Sequence, residues 1–513
     1  MKMLYQKIKK AKTIIALICL AVGGMSCNND SSKGKEHDPS KPIVVGSFEP
    51  SEGRVRDYVL IKGSNFGYDK SAIKVFFNKS EAKILGVNES GTTILVLVER
   101  VPFPNGDGEA EVFVEIGGKT GMAPGLFKYK VSASVTTLAG NGSNGNSYAS
   151  GKLSDLLLSG PTYIGVDYNY NVFFCVGDSP AGTSALLLIS EEKNTVRVVA
   201  HVNEGFDHRG VPNLHPVTGQ MILGGERDRD RHIIINPDKD FSMEVKYIKQ
   251  WDANGFPMPT FANYNSITTN YGHYNIVYCE WDGFLYTRYW GGQIVRIDPE
   301  AWTAKIIGMT PPGVTYGMGF NTYTDRDEEG NRINLFTDTD MRYELWMAYS
   351  ADGGSTDAYA PTYVRHTLST VDIRDELTWL QAYGEDTPVI PVGASSDIMS
   401  SFKLRLGTGT GSSGHRDGPM NQALINNPRQ ISFDQYGVIY EGDRGSNTIR
   451  QIDTKTEMVT TLIGIPGISS PFKDGAKEDA TFNAPHGIVT NREGNILYVA
   501  DNANHRIRRI AVE

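Results

Sequence analysis

The side chains best suited to metal chemistry are three histidines, His215, His273 and His486. His486 begins a predicted strand in the run Pro485-His486-Gly487, and the other two stand in roughly similar contexts upstream. Three imidazoles are sufficient ligands for zinc. However, the sequence has no HxH, HExxH or CxxC spacing and no GxSxG nucleophile motif, and His486 fits a structural role as well. We therefore predict no metal site, no cofactor and no catalytic residue, and we favour a non-enzymatic protein over a lyase or hydrolase.

Aromatic side chains form the second set of candidates. All six tryptophans lie between residues 251 and 379, and many tyrosines cluster there too. Aromatic faces stack on sugar rings and also anchor protein interfaces. Trp290 precedes Gly291-Gly292 and Trp281 stands beside Asp282-Gly283, which predicts that both lie at turns. The ligand-binding candidates are Trp281, Trp290, Tyr286, Tyr289, Trp251 and Trp346. The alternative, that these rings fill the cores of sheets, stays open.

The elements that must position these residues are predicted to be strands. The 513 residues include 55 Gly and 25 Tyr, and short runs rich in Val, Ile, Thr and Tyr alternate with Gly, Asn and Ser turns. Such a composition is typical of an all-β chain. The length allows two or more domains.

Residues 1–26 have the features of a secretory signal peptide. Five lysines precede the apolar run at residues 13–22, which is too short to span a bilayer as a helix. The next residue is Cys27, and the run Gly24-Met25-Ser26-Cys27 resembles the cleavage site of bacterial lipoproteins, although that family prefers Leu where Gly24 stands. The resemblance implies that Cys27 carries lipid and that the polar residues 28–41 are a flexible tether. An ordinary signal peptide with an incidental cysteine is the alternative.

The charge and the cysteines narrow the function further. Loss of the five signal lysines changes the net charge from −9 to about −14, which argues against nucleic acid as a partner. Contact with the membrane is predicted through the lipid anchor only. Cys175 and Cys279 lie in apolar runs, and two buried thiols are favoured over a disulfide.

Residues 42–130 resemble an IPT/TIG domain, a small immunoglobulin-like sandwich. The resemblance is carried by Phe48-Glu49-Pro50, by the run Lys62-Gly63-Ser64-Asn65-Phe66-Gly67 and by Val75-Phe76-Phe77-Asn78. The segment has no Cys, His or Trp. We interpret it as a rigid spacer between the anchor and the rest of the chain.

Residues 135–513 contain degenerate repeats. The clearest two begin at Pro428 and Pro485, and they share a Gly-containing turn, a Tyr-x-x-Asp run and a final Ile-Arg-x-Ile. With Asn504-His505-Arg506 they resemble the NHL repeat, which implies a β-propeller of four-stranded blades. Four weaker copies begin near residues 161, 212, 274 and 317. Six blades are favoured, with five or seven left open.

Ring closure is predicted from a second repeated element. Val135-Thr136-Thr137-Leu138 matches the run at residues 459–462, which follows the Pro428 repeat as its outermost strand, whereas the last repeat has no such strand after it. The N-terminal copy is therefore expected to complete the last blade. Residues near 350–410 fit no blade and are interpreted as an insertion between blades, with a short helix expected at residues 372–380.

A lipid anchor, a sandwich spacer and an aromatic-bearing propeller resemble the surface glycan-binding lipoproteins that accompany outer-membrane importers. The resemblance implies a non-catalytic module that captures carbohydrate, with a glycan as ligand and an importer or other envelope protein as a possible partner. The expected location is the outer membrane, at the cell surface in preference to the periplasmic face. A protein-interaction scaffold of the envelope is the alternative function.

Overall fold

A computed structural model describes the fold of the chain. The described residues are 34–54, 57–78, 80–99, 101, 107–145, 152–177, 184–201, 210–224, 231–251, 275–289, 291–321, 325–326, 332–333, 343–351, 361–375 and 398–512. Over these ranges the elements are β-strands and short 3₁₀ helices. No helix in them is both long and apolar enough to cross a membrane. The chain divides into two compact units at residues 131 and 132.

The first unit is a two-sheet β-sandwich. Its strands are β1 (Val44–Glu49), β2 (Glu52–Gly53), β3 (Tyr58–Ser64), β4 (Ile73–Phe77), β5 (Ser80–Glu81), β6 (Lys83–Val87), β7 (Thr93–Leu97), β8 (Gly108–Ile116) and β9 (Lys119–Tyr129), with a 3₁₀ turn at Lys70–Ala72. One sheet has the order β1-β3-β7-β6 and the other β2-β9-β8-β4-β5. The inward side chains of both sheets, among them Val59, Val75 and Phe127, form one buried core. This alternation of buried and exposed residues is what an aligned sandwich requires.

The second unit is a propeller whose described strands form six blades, antiparallel except for one short parallel edge strand in the third. The first strand of this unit is β10 (Ala133–Ala139). Blade 1 follows with β11 (Ile164–Val166), β12 (Asn171–Val176), β13 (Ala185–Ser190) and β14 (Thr195–His201). Blade 2 has β15 (Asn213–Leu214), β16 (Met221–Gly224), β17 (Arg231–Asn236) and β18 (Ser242–Tyr247). Blade 3 has β19 (Gln250–Trp251), β20 (Ile276–Tyr278), β21 (Leu285–Arg288), β22 (Gln293–Ile297) and β23 (Thr303–Met309).

The remaining three blades follow the same plan. Blade 4 has β24 (Thr315–Phe320), β27 (Glu344–Tyr349), β28 (Thr367–Asp372) and β29 (Lys403–Leu406), and the separate pair β25 (Asp325–Arg326) and β26 (Arg332–Ile333) lies in its first connection. Blade 5 has β30 (Gly418–Pro419), β31 (Pro428–Phe433), β32 (Val438–Asp443), β33 (Thr448–Asp453) and β34 (Met458–Ile463). Blade 6 has β35 (Gly475–Ala476), β36 (Pro485–Thr490), β37 (Ile496–Asp501) and β38 (Arg506–Val512), together with β10. Further 3₁₀ turns are Leu153–Asp155, Pro237–Lys239, Thr362–Val364 and Asn502–Asn504.

The hydrophobic cores of the propeller lie between blades. Separate buried clusters join blade 6 to blade 1, blade 1 to blade 2, blade 2 to blade 3, blade 3 to blade 4, and blade 4 to blade 5. Blades 1 to 4 are therefore covered on both faces, and β12, β13 and β27 in them are almost entirely apolar and buried. Continuous apolar runs are the expected pattern for strands buried on both faces.

The two most regular blades each contain a buried charge cluster. In blade 5 the Arg450 guanidinium donates to Asp443 at 3.1 Å and to Asp417 at 2.7 Å. In blade 6 Arg508 pairs at 2.7 Å with Asp501 and, also at 2.7 Å, with Asp474. Each cluster ties the second and third strands of its blade to the short fifth strand outside it.

The structure corrects one sequence-based expectation. Residues 350–410 were expected to be an insertion, but Thr367–Asp372 and Lys403–Leu406 are the third and fourth strands of blade 4. The repeat is hard to recognise because a long segment separates these two strands. Of the helix expected at residues 372–380, residues 372–375 are not helical and the rest lie outside the described residues. Cys175 and Cys279 are free and buried, and burial raises the pKa of the Cys279 thiol to about 12.

The predicted ring closure is confirmed. Strand β10 pairs antiparallel with β38, from Ala133 opposite Val512 to Ala139 opposite Ile507. The first strand of the propeller therefore completes its last blade, which removes an open sheet edge.

This closure predicts different effects for two neighbouring substitutions. Val135 is buried and Thr136 is exposed on the same strand. Val135→Asp should lower the free energy of unfolding by ~3 kcal/mol, because it buries a carboxylate, and should speed hydrogen exchange in β37. Thr136→Asp, the matched control, should change neither. Unaltered exchange at Ile496–Asp501 in a destabilised Val135→Asp protein would contradict the closure.

Candidate functional site

The first strands of all six blades surround one cavity of about 370 Å³. The cavity lies where these strands turn back into the second strands of their blades, and a volume of this size is typical of small-ligand sites. Aromatic, neutral polar and charged residues line it, among them Tyr168, Tyr170, Tyr278, Phe320, Phe433, Asn213, Gln430, Ser432, Gln435, Thr490, Asn491, Asp167, Glu280, Arg492 and Glu493. Aromatic faces combined with a few polar groups suit a ligand that has both C–H and hydroxyl surface.

Side-chain amides close the inner end of this cavity. The Gln430 amide donates to the carbonyl oxygen of Ile164 at 2.6 Å, and its oxygen accepts from the Ile164 N–H at 3.1 Å. Asn213 donates to the Asn275 side chain at 2.6 Å, and Asn275 donates to the Tyr316 carbonyl at 3.0 Å. Asn213 and Asn275 thus join the first strands of blades 2, 3 and 4, and Gln430 joins those of blades 5 and 1. We call these three residues the amide ring.

Three glycines let the first strands approach each other near the amide ring. A Cβ on Gly165 would lie 1.9 Å from the Pro212 oxygen, and a Cβ on Gly487 would lie 2.2 Å from the Thr162 oxygen. A Cβ on Gly317 would likewise lie 2.4 Å from the Arg429 backbone oxygen. Backbone therefore packs directly on backbone, which only glycine allows.

Aromatic rings fill the channel beyond the amide ring. Tyr163, Tyr316 and His486 each come earlier on their strands than the residues lining the cavity. The His486 ring lies 5.0 Å from that of Tyr163 and 5.9 Å from that of Tyr316, and the Arg429 guanidinium lies 4.0 Å from the Tyr316 ring. In the part of the chain that the structure describes, the cavity consequently ends at Gln430 and does not pass through the propeller.

Two tyrosines of blade 1 stand at the mouth of the cavity. Tyr168 is 54% exposed and Tyr170 is 41% exposed, and both belong to the turn between β11 and β12. Asp167 holds this turn by accepting from the Asn169 and Asn171 backbone N–H groups, each at 2.8 Å. The Tyr168 hydroxyl donates to the Pro216 carbonyl of blade 2 at 3.0 Å.

Tyr170 has a backbone conformation that favours glycine. Its φ is 59°, and its N–H donates to Asp167. In blades 5 and 6 the same turn position is held by Gly437 and Gly494, with φ of 80° and 65° and the equivalent hydrogen bonds. A tyrosine in this left-handed region is strained by ~1 kcal/mol relative to glycine. Such a residue at a cavity mouth is a candidate for function.

The aromatic residues singled out from the sequence lie elsewhere. Tyr286, Tyr289 and Trp346 are at most 1% exposed and belong to the cores between blades, so their rings are inaccessible to a ligand. The Tyr286 hydroxyl donates to Asp282, and burial raises its pKa. Trp281 is half-buried against the core between blades 3 and 4. Trp290 and the side chain of Trp251 lie outside the described residues.

The three histidines do not form a common site in the described structure. His215 stacks on Tyr278 at 4.1 Å, and its Nδ1 accepts from the Val217 N–H at 3.3 Å. Burial lowers the pKa of His215, which favours the neutral ring. His486 lies at the opposite end of the channel, and His273 is outside the described residues. Within those residues no three His, Cys, Asp or Glu side chains are grouped as metal ligands.

The sequence contained a signal for the residues that were missed. Asp167-Tyr168-Asn169-Tyr170-Asn171 aligns with the Gly-containing turns Asp434-Gln435-Tyr436-Gly437 and Asn491-Arg492-Glu493-Gly494. A tyrosine at the glycine position of this alignment breaks the local rule for the turn. This departure, together with the nearby Tyr168, indicates that the turn of blade 1 has a role other than folding.

Family comparisons agree with this architecture. Residues 42–129 match the IPT/TIG domain family, and residues 482–510 match the NHL repeat. The chain combines an IPT/TIG domain with an NHL-type β-propeller. The fold class expected from the sequence is thus confirmed, with six blades in the described part of the propeller.

Individual relatives support the fold only. NHL repeat-containing protein 2 of Bos taurus is 32% identical over 123 residues, which are 24% of this chain and 16% of that protein. A protein of unknown function from Bacteroides thetaiotaomicron VPI-5482 aligns over 93% of this chain and 100% of its own with a TM-score of 0.63 and 21% identity. An auxiliary nutrient binding protein from the same organism covers 93% and 99% of the two chains with a TM-score of 0.49 and 19% identity, a likeness too distant to support a conclusion.

The amide ring predicts a measurable contribution of Gln430 to stability. Gln430→Leu should lower the free energy of unfolding by ~2 kcal/mol or more, because it leaves the Ile164 N–H and carbonyl without partners. The control is Gln435→Leu, at the half-buried rim of the same cavity. This substitution should change the free energy of unfolding by less than ~0.5 kcal/mol. Urea unfolding of both variants measures the difference, and equal stabilities would contradict the role given to Gln430.

Proposed function

We propose that this protein is a non-catalytic binding module that captures carbohydrate in the propeller cavity. The observation that carries the proposal is Tyr170, an exposed aromatic residue held in a strained conformation at the cavity mouth. Two other aromatic residues with positive φ, Phe241 and Trp302, pack against hydrophobic cores, where burial offsets the strain. The Tyr170 ring has less burial to offset it.

The lining of the cavity supports a sugar as ligand. Tyr168 and Tyr170 present rings at the mouth, and Tyr278, Phe320 and Phe433 lie further along the walls. Gln435 and Ser432 add an amide and a hydroxyl group, and Asp167, Glu280, Arg492 and Glu493 add charged groups, all of which can hydrogen-bond to sugar hydroxyls. Stacking combined with hydrogen bonding is the recognition that carbohydrate requires.

The N-terminal segment supports a location in the cell envelope. The basic start, the apolar run and Cys27 fit a lipid-anchored protein, and the polar residues 28–41 fit a tether. We propose attachment to the outer membrane at the cell surface, with the IPT/TIG domain as a spacer. An outer-membrane importer or another envelope protein is the proposed partner.

Binding and stability should separate at Tyr170. Tyr170→Gly removes the ring and relieves the strain, so the free energy of unfolding should stay within ~1 kcal/mol of the parent protein. Loss of one stacking contact of 1–2 kcal/mol should nevertheless weaken saccharide binding about 5- to 30-fold, and Tyr168→Ala should act similarly. Affinity electrophoresis and calorimetry against starch, xylan, galactomannan, β-glucan and mucin glycans provide the measurement.

The matched control is Tyr247→Ala. Tyr247 is 55% exposed on the outermost strand of blade 2 and does not line the cavity. Its loss should leave saccharide binding unchanged. If the parent protein binds no saccharide but retains a co-purifying envelope protein, the scaffold function replaces the one proposed.

The anchor makes a separate prediction. Cys27→Ser should release the mature protein from the membrane fraction and abolish incorporation of labelled palmitate, because the serine cannot accept the lipid. Cys279→Ser, which removes a buried thiol far along the chain, is the control and should remain membrane-bound. Fractionation of cells that express each variant tests this, and membrane retention of Cys27→Ser would contradict lipid anchoring.

A further inference from the structure

Among the described residues the cavity is closed at its inner end, and this limits what part of a glycan it can accept. Gln430 spans from blade 5 to Ile164 of blade 1 and passes Gly487, whose missing side chain leaves the space. A Cβ at Gly487 would lie 3.1 Å from the Gln430 amide oxygen. Behind this bridge, Tyr163, Tyr316 and His486 occupy the channel.

An internal segment of a polysaccharide continues in both directions, so a site for it needs two open ends. A surface groove provides these, whereas a closed pit among six converging strands does not. The volume of about 370 Å³ lies at the small end of the range for ligand sites, which suits one or a few sugar rings. The remainder of a bound glycan must therefore extend out of the cavity through its single described opening.

We infer that the cavity recognises the end of a glycan chain and not an internal segment. The terminal sugar lies in the pit above Gln430 and Ser432, and the next sugars pass over the rings of Tyr168 and Tyr170 at the mouth. The inference rests on the proposed carbohydrate-binding function and deepens it by assigning the part of the glycan that is bound.

Chain ends can be varied at constant mass of sugar. Linear polysaccharides, namely amylose, xylan and mixed-linkage β-glucan, are partly hydrolysed in acid, and their ends are counted by a reducing-sugar assay. For a polymer that binds the full chain of this protein, the number of protein molecules bound per gram should rise in proportion to the number of ends. In calorimetry, one protein molecule should bind per chain whatever its length.

The opposite result is equally clear. A binding capacity that stays constant or falls as ends increase, or a stoichiometry that grows with chain length, overturns chain-end recognition while leaving carbohydrate binding intact. Absence of binding to every polymer and hydrolysate contradicts the proposed function itself, and the inference falls with it. The two failures are therefore distinguishable. Borohydride reduction of a bound hydrolysate then identifies the end: loss of binding indicates the reducing end, and retention indicates the other.

A filled cavity tests where the end is bound. Ser432→Trp places a large ring in the pit and should reduce binding of the hydrolysate at least 30-fold. Thr136→Trp, at an exposed position of β10 in blade 6, is the matched control and should leave binding unchanged. Equal binding by a folded Ser432→Trp protein would place recognition outside the cavity and overturn the inference.

Discussion

The free inner edges of the blades impose the main constraint on this propeller. The first strand of each blade pairs with a neighbour on one side only, so its other edge presents unpaired N–H and carbonyl groups to the channel. In this protein the amide of Gln430 satisfies both backbone groups of Ile164, in the manner of a β-ladder. Asn275 does the same for the Tyr316 carbonyl. Glycines at the crossing points allow these strands to come close enough for a short side chain to span the gap. The result is a closed channel, and the closure turns an axial opening into a cavity with a floor.

The regularity of the sequence repeat reflects a second set of polar interactions. The arginine near the end of each NHL-like unit, Arg450 or Arg508, is fully buried and pairs with two aspartates. Removing the arginine would leave the buried carboxylate of Asp443 or Asp501 uncompensated, which costs several kcal/mol. Blades 5 and 6 therefore keep the residues of the cluster together, and the repeat stays visible in the sequence. In blade 4 a different ion pair, between Glu344 of β27 and Arg405 of β29, joins the strands. The sequence of this blade departs correspondingly from the repeat.

The sequence was sufficient for the sandwich, for the propeller and for the closure by β10, because these follow from strand-length apolar runs and from a repeated Val-Thr-Thr-Leu element. It was insufficient for blade 4, where a long connection separates β28 from β29. It was also insufficient for the aromatic residues. In a sheet with one wet face, alternation assigns every second ring to solvent. Each blade here packs against a neighbour on both faces, so Tyr286 on one strand and Trp346 on another are buried although their strands alternate normally. The described aromatic residues of the tryptophan-rich region consequently fill cores for the most part, and the accessible rings beside the cavity lie at a turn.

Function at a turn has a physical cost that distinguishes it from packing. Tyr170 occupies a position where glycine would be unstrained, as Gly437 and Gly494 show in the equivalent turns. A core residue with the same strain, such as Trp302, is 7% exposed and regains the energy through burial. Tyr170 is 41% exposed, so the free protein recovers less of the strain, and the ring would recover more when a ligand covers it. The same comparison explains why the best-conforming repeats lack such a ring. A turn that keeps its glycine is optimised for folding, and among the described turns beside the cavity that of blade 1 departs from this optimum.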